Sequence, residues 1–106
     1  MNQLSPAELK KLIDSKEPIQ IIDIREPYEY EYSHLEQSIL MPMATVSDKI
    51  SEISRELNVI IHCRTGKRAE AMIDYLECTH NFTNLHNLTG GILAWSEEID
   101  ASKAPY

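Results

Sequence analysis

Ile19-Gln20-Ile21-Ile22-Asp23-Ile24 and Val59-Ile60-Ile61-His62 are short β-branched runs with too few polar residues to mark a solvent face. A strand wet on one side alternates apolar and polar residues, whereas a strand covered on both sides reads as a nearly continuous hydrophobic run, as in parallel sheets. Parallel neighbours need crossover connections, and these are usually helical. The chain between and around the two runs is therefore the place to look for helices.

Those helices are legible. Ser5-Pro6-Ala7-Glu8 reads as a capping box with proline in the first helical position, and Leu9, Leu12 and Ile13 follow at helical spacing, which predicts a helix over 6–15. Pro27 opens a short acidic, tyrosine-rich helix that ends near Tyr32 and presents a solvated face. Thr45 to Asp48 can cap a helix in which Val46, Ile50, Ile53 and Leu57 share one stripe, ending at Asn58. Ala69, Met72, Ile73 and Leu76 mark the apolar face of a helix over 67–78. Ile92, Trp95 and Ile99 mark a last one, with Trp95 read as core. Further strands are expected at Ser38-Ile39-Leu40-Met41, stopped by Pro42, and weakly at Thr83-Asn84-Leu85-His86.

The expected architecture is a single α/β domain over 1–106, with a mainly parallel central sheet of about five strands and helices on both faces. The last residues, from about 100 to 106, are expected to fray. In such sheets ligands bind beyond the carboxyl ends of the strands, and Cys63 stands directly at one of those ends.

Charge limits what can bind there. Seventeen acids against ten Lys plus Arg give a formal charge of −7, which argues against broad adhesion to nucleic acid or to an anionic membrane. The N-terminal MNQLSPAELKKL carries neither a basic leader nor an apolar run, and no stretch approaches the ~18 apolar residues of a membrane span, so a cytoplasmic protein is expected. His34, His62, His80 and His86 form no tight pattern with the cysteines, and neither a metal nor a cofactor is called for.

Against that acidic background, HCRTGKR at 62–68 gathers three of the ten basic residues around a thiol. A thiol is a weak nucleophile until ionised, and with an ordinary pKa of ~8.5 only about 3% is thiolate at pH 7. A helix N-terminus favours a nearby anion by ~0.3–1 kcal/mol, and one cation about 6 Å away, at an effective dielectric of ~20, by roughly 2.8 kcal/mol more. Arg64, Lys67 and Arg68 are thus expected to hold Cys63 as thiolate, and Gly66 to curl the backbone so that its amides cradle an anion beside the sulfur. Cys78 lies a helix-length away, about 16 Å at ~1.5 Å per residue, too far for a disulfide that needs Cα atoms within ~7 Å. Taken alone, Cys63 could equally be a buried structural thiol.

Four ordered motifs remove that ambiguity. Ile22-Asp23-Ile24-Arg25-Glu26, then Glu29-Tyr30 with His34-Leu35 and Met41-Pro42, then His62-Cys63-Arg64-Thr65-Gly66-Lys67-Arg68, and finally Thr89-Gly90-Gly91-Ile92-Leu93-Ala94-Trp95 resemble the signatures of the rhodanese family, single-domain type. The resemblance covers nearly the whole chain. It implies a sulfurtransferase in which Cys63 takes the outer sulfur of a small anionic donor such as thiosulfate and passes it to a thiol, cyanide or a protein. It further implies that Arg64, Thr65, Gly66, Lys67 and Arg68 bind the donor, with Asp23 and Arg25 in support. Asp23 is read as holding loop backbone or a cation, and Arg25 as the ion-pair partner of Glu29. A non-enzymatic sulfur carrier or docking module is the alternative. A phosphatase or arsenate reductase fits less well, because such relatives place five residues between Cys and Arg where this chain has the four from Arg64 to Lys67. The sequence departs from the family pattern at Ser33, at Gln37-Ser38 and at Asn81, where glycine or Gly-Ala is usual.

Overall fold

A computed structural model of the protein describes residues 1–105. Its sheet contains β1 (Asn2–Leu4), β2 (Ile19–Asp23), β3 (Ser38–Leu40), β4 (Asn58–His62) and β5 (Leu85–Leu88) in the order β1-β5-β4-β2-β3. Every pairing is parallel. The helices are α1 (Pro6–Asp14), α2 (Pro27–Tyr32), α3 (Lys67–His80) and α4 (Gly91–Glu98).

The two apolar runs are buried on both faces, as their composition requires. Ile22 and Ile24 of the first and Val59 and Ile61 of the second pack with Ala69, Met72, Ile73 and Leu76 of α3. Ile21 and Ile60 face the other way, onto Leu9 of α1 and Ile92 and Trp95 of α4. Successive strand side chains point to opposite faces, so one run of isoleucines serves two cores. The α1 capping box forms, with Glu8 N donating to Ser5 Oγ at 3.1 Å and Ser5 N to Glu8 Oε1 at 2.9 Å.

Four elements differ from expectation. The edge strand β1 has no counterpart in the sequence reading, because its three residues are held by main-chain pairing to β5 rather than by a buried face. Strand β5 lies two residues later than expected, since Asn84 is occupied in bonding Ser54 O and Leu57 O, both at 2.7 Å. The helix expected over 45–58 is replaced by two 3-10 turns, Met43–Asp48 and Ile50–Glu52. Val, Thr, Ser and Ile dominate that segment and are indifferent helix formers. Ser54 Oγ accepts from Glu56 N and Leu57 N, and the Gln20 side chain bonds Glu52 O and Ser54 N, so the polar groups are satisfied without a helix. Val46 and Ile53 still reach the core. Finally, Ala101–Lys103, within the tail expected to fray, takes a 3-10 turn, and Ser33 Oγ bonds the carbonyls of Lys103 and Ala104 at 3.1 and 3.0 Å.

Helix α3 runs two residues beyond Cys78 and closes at Asn81 in the left-handed conformation, φ 58°. Asparagine adopts this conformation more readily than most residues, and it serves here where the family commonly has glycine.

Candidate active site

Strand β4 sits in the middle of the sheet between β5 and β2, and the chain leaves its carboxyl end at Cys63. The thiol is buried, 1% exposed. Gly66, at φ 105°, turns the loop back so that its N–H donates to Cys63 Sγ at 3.1 Å and α3 begins at the next residue. The helix therefore starts with its unsatisfied amides beside the sulfur, an arrangement that favours negative charge there.

The outer side of the same loop is tied to α4. Ile92 N donates to Cys63 O and Leu93 N to Arg64 O, each at 3.0 Å. These two bonds fix the course of the chain from Cys63 to Arg64, on the approach to the Gly66 amide that meets the thiol. Gly91 makes the contact possible: φ is 61°, and a Cβ there would clash with Arg64 O and come within 2.5 Å of Cys63 O.

Beneath the loop lies a fully buried polar cluster. Arg25 Nε bonds both carboxylate oxygens of Asp23 at 2.9 and 3.1 Å, and Nη2 bonds Asp23 Oδ2 and Ser33 O at 2.7 Å each. Asp23 Oδ1 also accepts from Arg25 N at 3.1 Å. His62, opposite Asp23 across the β2–β4 ladder, places Nε2 3.7 Å from Asp23 Oδ2, and its Nδ1 lies 3.4 Å from Cys63 O. Burial pushes the His62 pKa below its ordinary value, against the opposing pull of the Asp23 charge. A neutral imidazole over one paired carboxylate and guanidinium leaves the floor without net charge.

The expected Arg25–Glu29 pair does not form. Arg25 belongs to Asp23, because a guanidinium with no exposure needs a carboxylate that is equally buried. Glu29 instead takes Arg68 in a two-pronged pair, Oε1 to Nη1 at 2.8 Å and Oε2 to Nη2 at 3.1 Å. The Arg68 hydrogen bonds, outweighing burial, hold the Glu29 carboxyl below the usual carboxylate range. The same bonds raise the Arg68 pKa, with smaller contributions from the Glu29, Cys63 and Asp23 charges. Of the three cations expected around the thiol, Arg64 and Lys67 stand exposed at the rim with Thr65, whereas Arg68 is committed to a carboxylate.

A family model described as the rhodanese-like domain matches residues 5–98. The chain belongs to the rhodanese-like domain family. It is 26% identical over 106 residues to the probable adenylyltransferase/sulfurtransferase MoeZ of Mycobacterium tuberculosis, covering 97% of this chain and 26% of that protein. The chain thus spans about a quarter of that relative's length. It is 29% identical over 96 residues to a sulfurtransferase of Allochromatium vinosum, covering 91% of this chain and 89% of that one. Among solved structures it resembles a rhodanese-like domain protein from Staphylococcus aureus, with a TM-score of 0.84, 29% identity, and coverage of 93% of this chain and 95% of that chain.

Within this rhodanese-like domain the structure pairs Gly66 with Cys63, Arg25 with Asp23 and Arg68 with Glu29, and leaves Arg64, Thr65 and Lys67 exposed on the loop. Three neighbours have roles here that the sequence reading did not give them. Glu29 could have been read as the third residue of a capping box opened by Glu26, which it is. Gly91 was visible as half of a Gly-Gly turn. Asn87 carried no signal: it is buried in β5 under Gly66, and its Nδ2 bonds Gln3 Oε1 at 3.0 Å. Thr89 Oγ1 donates to the same oxygen at 2.9 Å, so the edge strand β1 is pinned beneath the loop.

The remaining candidates lie elsewhere. Cys78 is exposed near the far end of α3, and both cysteines are free. His34 stacks on Tyr30, His80 bonds Tyr75 Oη and His86 bonds Asn58, each in its own part of the surface. No three metal-ligating side chains gather among the described residues, and no helix there is long and apolar enough to cross a membrane.

Proposed function

We propose that this domain transfers sulfane sulfur through a persulfide on Cys63. The Cys63 thiolate attacks the outer sulfur of a donor such as thiosulfate. A new S–S bond forms, the donor's own S–S bond breaks, and sulfite leaves with the bonding electron pair. Cyanide, a thiol or a protein nucleophile then attacks the terminal sulfur, and the electron pair of the enzyme's S–S bond returns to Cys63. Storing the sulfur covalently between two half-reactions implies ping-pong kinetics.

The observation that carries this reading is the Gly66 N–H directed at Cys63 Sγ from the start of α3, in a loop whose outward carbonyls are already taken by α4. The amides of residues 64–68 favour the thiolate and then the persulfide anion. Arg64 and Lys67, exposed at the mouth, draw in the anionic donor. Asp23 and Arg25 hold the floor rigid and electrically balanced, so that the charge acting on the sulfur comes from the loop and its helix.

The test is thiocyanate formation from thiosulfate and cyanide, together with mass spectrometry of the protein after exposure to donor alone. The wild-type protein gains one sulfur atom and turns over, whereas Cys63→Ser does neither. Equal rates for the two proteins refute the reading.

A further inference from the structure

Arg68 closes the anion-binding loop, yet Glu29 engages both of its terminal nitrogens. The carboxylate is nearly buried, with 10% of its side chain exposed, and it is also fastened to its own helix, since Glu26 N donates to Glu29 Oε1 at 3.0 Å. Arg68 therefore cannot lend its fork to an incoming anion without breaking a bidentate pair, which is among the stronger polar contacts a protein makes. The carboxylate also places a negative charge against the cradle. The rim keeps the charge of Arg64 and Lys67 and loses that of Arg68.

We propose that Glu29 is a specificity-determining residue that lowers the charge of the cradle, biasing the site away from dianionic donors and toward monoanionic sulfur donors of the alkyl persulfide or thiosulfonate class. The inference rests on the sulfurtransfer reading for its substrates, but its electrostatic core concerns anion binding alone. Coulomb energy scales with ligand charge, so whatever factor Glu29 costs a monoanion, it costs a dianion the square of that factor. Arg68 then has the role of holding α2 to the loop rather than of gripping the donor.

Glu29→Gln is the informative change, because glutamine can still accept from Glu26 N and so keeps the helix cap while removing the charge. The probe is inorganic sulfate, titrated by calorimetry into proteins that also carry Cys63→Ser, so that no sulfur chemistry enters. One unit charge acting on a dianion across ~8 Å of a nearly aqueous medium predicts sulfate binding about fivefold tighter for Glu29→Gln. Arg68→Gln leaves the carboxylate unbalanced and weakens binding by a similar factor, and the double variant returns to the starting affinity. In the Cys63 background, Glu29→Gln lowers the KM for thiosulfate by about the same fivefold and for a benzenethiosulfonate monoanion by about twofold, with kcat unchanged.

Sulfate affinity that is unchanged or weaker in a folded Glu29→Gln protein overturns the proposal, as does the absence of measurable sulfate binding in every variant. If Glu29→Gln does not fold, the Arg68→Gln and double variants decide: a double variant as weak as Arg68→Gln means that Arg68 grips the anion itself. A protein that follows the sulfate predictions yet never forms a persulfide refutes the sulfurtransfer reading alone. Normal transfer with sulfate affinity indifferent to Glu29 refutes this inference alone.

Discussion

Gly91→Ala tests whether α4 holds the active loop open. The added methyl would clash with Arg64 O and lie 2.5 Å from Cys63 O, where an ordinary C···O contact is about 3.3 Å. Relief therefore requires a local displacement of roughly 0.8 Å. The Ile92 N to Cys63 O and Leu93 N to Arg64 O bonds, both 3.0 Å, would stretch beyond hydrogen-bonding distance. Losing two such bonds costs about 2 kcal/mol, and more where the freed carbonyls stay buried. Placing alanine at φ 61° adds ~1–2 kcal/mol. The total, about 4 kcal/mol, is a large part of the ~5–15 kcal/mol expected for a domain of this size. Urea unfolding followed by fluorescence of Trp95, the one tryptophan of the chain, should show the midpoint falling by ~2–3 M. In dilute buffer, where the variant is still folded, sulfur transfer should drop by about a hundredfold, the scale expected when reacting groups are misplaced by an ångström. A wild-type midpoint with wild-type transfer refutes the tether, since the loop would then hold its shape without α4.

Two further changes probe the floor of the site. Asp23→Asn removes the charge opposite a fully buried Arg25, and the uncompensated guanidinium should destabilise the domain by ~3–5 kcal/mol in urea unfolding; a loss below ~1 kcal/mol means the pair is not desolvated in solution. Because burial holds the folded His62 pKa below 6.5, the folded protein binds fewer protons than the unfolded chain, so stability is retained above pH 6.5 and declines as pH falls below it. His86, also lowered by burial, acts in the same direction, and the Glu29 contribution persists until pH falls below about 4.5. Urea midpoints should be nearly equal at pH 8 and 6.5 and lower at pH 5.5, with a shallower fall for His62→Gln; stability that rises on acidification contradicts a neutral His62.

The sheet was largely readable because its central strands are buried on both faces, which leaves an unmistakable isoleucine run at 19–24 and another apolar run at 59–62. Strand β1 escaped notice because Asn2 and Gln3 are exposed and its order comes from pairing with a strand more than eighty residues later, to which no local pattern points. The stripe from Val46 to Leu57 has helical spacing, but residues at that spacing also reach a core from 3-10 turns, and periodicity alone does not separate the two. The site was readable as a loop and not as a network. Arg25 and Glu29 stand four apart, a helical pairing distance, yet α2 begins only at Pro27, so Arg25 lies off the helix and the spacing rule does not apply. Which carboxylate each arginine takes was decided by burial, a property of the folded sheet. Gly91 acquires its meaning in the same way, once α4 lies against the end of β4.

The near-complete burial of Cys63, set against the open position of Cys78, makes the two thiols of this protein very unequal in accessibility. A bulky thiol reagent should report Cys78 first and Cys63 slowly, so a simple thiol titration counts the cysteine outside the proposed site. The same burial bears on the acceptor under the proposed sulfur transfer: a nucleophile carried at the end of a thin, extended arm should reach Cys63, 1% exposed, far better than one carried on a broad face.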